Sequence, residues 1–409
     1  MTPQQHSHIV IGGGISGISA AHYATRAGID SLVLEQDTRI GGCMQTAMFD
    51  TLDGFWIEAG SHSCFNSYGN LIDILEPLGL LPLATAKAKQ SYALWRGGKR
   101  SSIFSALHLA ELLRSLPRLF TQSKAGASVA EYYGRGLGRR NYQDLFGPAF
   151  RSVICQRADD FPAEALFRKK PRRKDVLRSF TMPEGLQQIP RAIAERSGIE
   201  VRTGQGVEAI ETAPDSAQPG YILRLSDGSR LGCRHLTLAV PPDVAARLLQ
   251  PLAPEAAAVI SDIGVVEIDS LLLAFPKDAL TIPELAGLIS VDGPFLSAVS
   301  RDFLADPRWR GFAFHFPADT LDDAARVQAA CTALDTTPEQ AAAIRHTRNR
   351  LPSLRKGHGQ RLQALDTSLQ GSRIGVTGNW FLGVSIEDCV TRSRQEHVRR
   401  FGDDLPRRQ

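Results

Sequence analysis

His8-Ile9-Val10-Ile11-Gly12-Gly13-Gly14-Ile15-Ser16-Gly17 is the stretch that decides the fold of this chain. An apolar run of strand character ends in Gly12-x-Gly14-x-x-Gly17 and passes into Ile18, Ala20, Ala21 and Ala24 before a stop at Gly28. The pattern predicts a strand, a glycine turn and a helix. The chemistry such a turn serves is pyrophosphate binding: the first glycine allows the tight turn, the second lets backbone approach the phosphates, the third lets helix and strand pack closely, and the helix N-terminus offers N–H groups to the anion. Gly13, Ile15 and Ser16 complete the candidate phosphate loop. Glycine triplets also occur in ordinary turns, and the next residues separate the two readings. Ser31-Leu32-Val33-Leu34 reads as a second apolar strand and ends in Glu35, close to the spacing of roughly 20 residues at which an acid accepts from ribose hydroxyls. An acid there fits a ribose without a 2′-phosphate.

The 409 residues exceed the usual limit of one hydrophobic core, so two domains are expected. Hydrophobic residues make up 43% and charged residues 22%, a composition of soluble globular proteins rather than disordered or membrane-spanning ones. The net charge of +4 is too small and too dispersed to argue for nucleic acid as a partner. Six scattered cysteines form no CxxC pair and no zinc-like Cys/His spacing, so they read as reduced thiols and no metal site is expected. Met1-Thr2-Pro3-Gln4-Gln5-His6 leads straight into the first strand, and no apolar run reaches bilayer length. The expected location is the cytoplasm.

After Glu35 comes Gln36-Asp37-Thr38-Arg39-Ile40-Gly41-Gly42-Cys43. The paired glycines permit a second close approach of backbone to an extended cofactor, and Arg39 is placed to meet a phosphate. Together, Gly12-x-Gly14-x-x-Gly17, Glu35 and Arg39-x-Gly41-Gly42 resemble the opening of the flavin amine oxidase superfamily, which binds FAD, and most closely its protoporphyrinogen oxidase-like branch. The resemblance implies that the loop Gly60-Ser61-His62 passes beside the flavin ring and that Val207 gives a backbone contact to the adenine. Many relatives carry a long polar side chain where this sequence has Cys43, so any contact made there is lost or replaced.

The resemblance continues at the other end of the chain. Gly375-Val376-Thr377-Gly378-Asn379 and Gly383-Val384-Ser385-Ile386-Glu387-Asp388 read as a strand, a glycine turn and a helix start, with Ser385 and Asp388 spaced as a capping box. They are similar to the superfamily's closing motif, where the turn meets the ribitol and the helix N-terminus points at the flavin ring, favouring the negative charge of the reduced form. Asn379 stands where many relatives have an acid.

The implied fold is α/β and two-domain: a Rossmann-like FAD-binding domain assembled from residues 1–75, 181–242 and 358–409, and a mixed-sheet plus helical substrate domain from 76–180 and 243–357, with a helical lobe at about 101–176. Within that lobe Ser128 and Glu131 form a capping box, and Arg168-Lys169-Lys170-Pro171-Arg172-Arg173-Lys174 is the densest charge run. The run reads first as a solvated loop; its sharper readings are a membrane face or an entrance for carboxylated substrates. Arg96 reads first as a solvated turn residue and second as a substrate contact. Phe275, Phe295, Phe312, Phe314 and Phe316 read as core, with an apolar pocket as the alternative. Thr337-Pro338-Glu339-Gln340 reads as a helix start.

The implied activity is hydride transfer from a C–N or C–C position of a small organic molecule to flavin N5, with molecular oxygen reoxidising the flavin. Three readings stay open: a protoporphyrinogen or coproporphyrinogen oxidase-like enzyme; a biosynthetic amine oxidase or desaturase of a smaller substrate; and a flavin-binding protein without oxidase turnover. No catalytic side chain is assigned. His62 is the one histidine placed where a base is conceivable, and a structural role is the simpler reading for it.

Overall fold

A computed structural model describes residues 4–213 and 220–402; Met1, Thr2 and Pro3, quoted above for the chain start, lie outside the described residues. The strands fall mainly into two seven-stranded sheets. In the first, strand Gln4–Ile11 runs parallel to Ser31–Leu34 on one side and to Arg230–Leu238 on the other, with Glu200–Arg202 beyond Ser31–Leu34. Strand Arg230–Leu238 divides its free edge. Its first half pairs antiparallel with Tyr221–Leu225, closing the hairpin at Ser226-Asp227-Gly228, and its second half pairs parallel with Ile374–Val376. The central strands bury Ile9, Val10, Leu32, Val33, Leu236 and Leu238 completely or nearly so, as continuous apolar runs in a parallel sheet covered on both faces should. Three separated stretches of chain thus build one sheet, and the two glycine motifs meet across it.

The closing helix Ile386–Phe401 fixes that meeting. Ser393 Oγ donates to the carbonyl of Ser16 at 2.8 Å. Buried Glu387 accepts from the backbone N–H groups of Asn70 and Leu71, so its carboxylate caps helix Gly69–Leu75. That helix stops at Leu75, two residues before Pro77.

The second sheet is mixed. Strand Gly264–Pro276 pairs antiparallel with Ala343–Ser353 and Trp309–Pro317; Ser297–Ser300, Gly287–Ser290, Tyr92–Arg96 and Lys99–Ser102 follow in order. Between residues 103 and 165 the chain forms short helices, including Val129–Leu137, whose Ser128–Glu131 capping box is complete.

Two local expectations take a different form, and a third, the five phenylalanines as core, holds. Thr337 and Gln340 make their capping box, yet the helix is a single tight turn, Pro338–Gln340, because strand Ala343–Ser353 claims the following residues for the long pairing with Gly264–Pro276. The five phenylalanines are all at most 1% exposed and pack together as core. The basic run is not simply solvated: Arg173 pairs with Glu76 and Asp175, and Lys170 turns inward.

Candidate functional site

At the phosphate turn, Gly12 has φ +105°, and a Cβ on it would lie 2.4 Å from the carbonyl oxygen of Ala239; a Cβ on Gly17 would lie 1.9 Å from that of Gly12. Only glycine fits either position. Gly14 differs: its backbone is ordinary, and a Cβ there would meet nothing nearer than Gly42 Cα at 3.9 Å. Gly14 caps helix Ile15–Arg26 without a side-chain acceptor, and the first turn carries no acid. Its N–H groups therefore have no internal anion, which is what a diphosphate needs of a helix N-terminus, and the backbones of Gly14 and Gly42 lie close together. Gly41 N donates to the carbonyl of Gly13 at 2.9 Å, holding the two glycine loops together.

Glu35 is buried and accepts from Gly13 N at 2.6 Å and Asp37 N at 2.9 Å. Burial raises its pKa, while those two N–H groups pull it back. These bonds tie the end of strand Ser31–Leu34 to the phosphate loop. Gln205 N donates to the Glu35 carbonyl, which brings Gln36 beside Gly206, the residue before Val207. Arg39 donates to the Gly42 carbonyl at 3.1 Å, within the same loop.

Ile15, Ser16, Gly41, Gly42 and Gly378 line a narrow cavity of about 150 Å³. Cys43, Ser61, Asn379, Val384 and Ile386 line both this cavity and an adjoining chamber of about 850 Å³, whose wall also includes Gly60, His62 and Ser385. The predicted residues Ile15, Ser16, Gly41 and Gly42 thus share a cleft with those predicted for the flavin end, whereas Gly12, Gly13, Gly14, Gly17, Glu35, Gln36, Arg39 and Val207 line neither cavity. Burial raises the Cys43 thiol pKa, so the residue faces this junction as a neutral thiol. Around the closing turn, Trp380 Nε1 donates to the Val240 carbonyl at 3.1 Å, and its ring stacks on Phe381.

The decisive comparison is with families of known chemistry. The family of flavin-containing amine oxidoreductases matches residues 15–391. This chain belongs to that family. Among curated amine oxidoreductase relatives, the protoporphyrinogen oxidase of Bos taurus is 23% identical, the match covering 97% of this chain and 98% of the bovine protein. The coproporphyrinogen III oxidase of Bacillus subtilis (strain 168) is 22% identical over 94% of this chain and 96% of its own length. In structure, the cyclohexylamine oxidase of Brevibacterium oxydans IH-35A superposes with a TM-score of 0.72 at 15% identity, covering 96% of this chain and 97% of that one. The fold is the two-domain FAD-binding fold of these flavin oxidoreductases, and its cofactor is FAD.

When bound, FAD would supply the two-electron acceptor. The amine oxidoreductase chamber also holds Lys87 and His315, which the sequence did not point out. Lys87 Nζ donates to the His62 carbonyl and to Ser63 Oγ, each at 2.6 Å, and lies 3.4 Å above the ring of Phe303. Burial lowers its pKa to about 8, against the attraction of Glu58. Glu58, which accepts from Leu186 N and Thr46 Oγ1, is pushed up by burial to about 7. His62 Nε2 lies 3.3 Å from His315 Nε2. Arg96 points elsewhere and bonds the carbonyl of Asp144.

One expectation about the closing helix changes. Its N-terminus carries Ser385 and Asp388 as a complete capping box, with Glu387 and Asp388 both in the first turn. The positive end of the helix dipole therefore meets its own carboxylates, and the added positive charge comes from Lys170, 2.8 Å from Asp388 Oδ1. His315 and Ser270 left one trace in the sequence: polar residues inside otherwise apolar strands.

Proposed function

We propose that this protein is an oxidase of flat, largely apolar, carboxylated substrates of the porphyrinogen type, with molecular oxygen as electron acceptor. The observation that carries this reading is the wall of the chamber. Phe65, Tyr68, Tyr92, Phe167 and Phe303 provide broad apolar surface, while the charged lining residues are Lys87, Lys89, Arg168 and Lys170 against Asp388 alone. Such a field attracts carboxylates and repels the ammonium form of an amine. The volume suits a large organic ligand, and two curated relatives carry porphyrinogen oxidase names. Residues 1–75, 181–242 and 358–409 then form the FAD-binding domain, and 76–180 with 243–357 the substrate domain. The FAD contacts are those read from the sequence: Gly12 to Gly17; Glu35, Gln36, Arg39, Gly41, Gly42 and Cys43; Gly60, Ser61 and His62; Val207; and Gly378, Asn379, Val384, Ser385 and Ile386. Each turnover removes a hydride to the flavin and a proton to solvent, and oxygen takes up the two electrons with two protons as hydrogen peroxide.

The helical lobe supports a further element of this reading, peripheral contact of a cytoplasmic enzyme with an anionic membrane. Phe104, Leu113 and Phe120 are 75%, 63% and 85% exposed, next to exposed Arg114 and Arg118. Apolar side chains beside basic ones suit an acidic lipid surface. No helix among the described residues is long and apolar enough to cross a membrane.

The test of the substrate class is anaerobic: oxidised-flavin absorbance is followed after adding coproporphyrinogen, protoporphyrinogen, putrescine or cyclohexylamine. Bleaching by a porphyrinogen supports the reading. Bleaching by an amine alone replaces it with amine oxidation, and bleaching by none favours a flavin-binding protein without oxidase turnover.

A further inference from the structure

Four side chains from distant stretches form a hydrogen-bonded chain at the chamber wall. Asn349 Nδ2 donates to the carbonyl of Ala59 at 3.0 Å, which orients the amide, and the same nitrogen lies 3.4 Å from Ser270 Oγ. Ser270 Oγ is 2.9 Å from His315 Nδ1, and His315 Nε2 is 3.3 Å from His62 Nε2. One arrangement of protons satisfies the chain. The amide nitrogen can only donate, so among the described residues His315 Nδ1 is the acceptor available to the Ser270 hydroxyl. His315 then carries its proton on Nε2 and gives it to a bare Nε2 of His62. His62 must therefore hold its own proton on Nδ1. The reverse arrangement leaves the hydroxyl proton of a serine only 2% exposed with no acceptor.

We propose that His62, locked by Asn349, Ser270 and His315 with its N–H on Nδ1, is the hydrogen-bond donor that holds an acceptor atom of the substrate, a carboxylate or carbonyl oxygen, in the chamber. His62 lines the chamber, and its Nδ1 has no hydrogen-bond partner among the described residues. His62 is thus a binding residue; His315, Ser270 and Asn349 position it. The surroundings keep the donor uncharged: burial, then the neighbouring His315 and Lys87, hold the His62 pKa well below 6.5, and burial lowers that of His315 to about 4. Glu58 acts on Lys87, whose pKa it raises against the effect of burial. This inference rests on the chamber being the substrate site, and its first test needs no substrate.

In ¹⁵N-histidine-labelled, FAD-loaded protein, His62→Gln and His315→Gln variants assign the two rings. The expected pattern is a protonated Nδ1 on His62 and a protonated Nε2 on His315, constant from pH 6 to 9. In Ser270→Ala the constraint is gone, and His62 becomes a mixture of tautomers. A wild-type His62 protonated on Nε2 overturns the proposal, as does a Ser270→Ala spectrum identical to wild type. The second arm measures anaerobic flavin reduction by whichever compound of the panel bleaches the wild type. His62→Phe is expected to raise the half-saturating concentration about tenfold; an unchanged half-saturation overturns the binding role. If only an amine bleaches the flavin, the porphyrinogen reading falls while the tautomer result stands on its own.

Discussion

Gly14 and Gly17 belong to one turn, yet their missing side chains do different work. A Cβ on Gly17 collides with backbone, whereas one on Gly14 meets only Gly42 Cα, at 3.9 Å, beside the open N-terminus of helix Ile15–Arg26. Gly14→Ala is therefore expected to leave the melting temperature of the apoprotein within a few degrees and to weaken FAD binding at least tenfold, about 1.4 kcal/mol, read by flavin fluorescence titration. Gly17→Ala is expected to lower the melting temperature itself. Equal effects of the two substitutions on both readouts would remove the distinction. His315 gives a second residue-level test. Its pKa is about 4 in the fold against 6.5 as a free side chain, so the unfolded chain binds more protons between those values. Its contribution is whole above pH 6.5 and is lost as pH falls toward 4, up to about 3 kcal/mol. The difference in unfolding free energy between wild type and His315→Gln should follow that slope; a difference independent of pH would show that His315 does not stay neutral.

Among the elements, the closing helix shows what a motif reveals and what it hides. Ser385 and Asp388 announce the cap by their spacing, and the structure builds it. Nothing in the sequence shows that Lys170, read within a solvated basic run, folds back onto that cap. Since Asp388 already offsets the helix dipole, Lys170 is the cation that favours negative charge at this end of the cleft. Lys170→Met is expected to make the flavin midpoint potential more negative by about 30 mV, equivalent to about 1.4 kcal/mol for two electrons, measured by dye-coupled reductive titration; a potential that stays put or rises would reassign the charge to the helix. The helical lobe is tested by Phe120→Asp. Because Phe120 is 85% exposed, its loss should leave the melting temperature unchanged while abolishing co-sedimentation with vesicles containing anionic lipid. Retained binding would remove the lobe as the contact.

For the molecule as a whole, what the sequence disclosed follows from how each site is made. Glycine turns are written in consecutive residues, so the turns at Gly12 to Gly17, Gly41-Gly42 and Gly378 are legible in the sequence. The chamber is made by sheet register. Ser270 stands opposite His315 only because Gly264–Pro276 pairs with Trp309–Pro317 in that register, and His62 meets His315 across 253 positions of sequence. No local spacing encodes either contact. The same assembly gathers Lys87, Lys89, Arg168 and Lys170 from two distant segments around one cavity, a concentration of charge that the dispersed net charge of +4 conceals. That concentration has a measurable consequence. If the chamber draws in carboxylates by its field, the rate of flavin reduction at low porphyrinogen concentration should fall steeply as salt shortens the screening length from about 30 Å at 0.01 M to about 8 Å at 0.15 M, while the rate at saturation changes little. Arg168→Glu, at an exposed position on the chamber wall, should lower the low-salt rate and flatten the salt dependence together. A rate indifferent to salt in both proteins would mean that apolar contact alone selects the substrate.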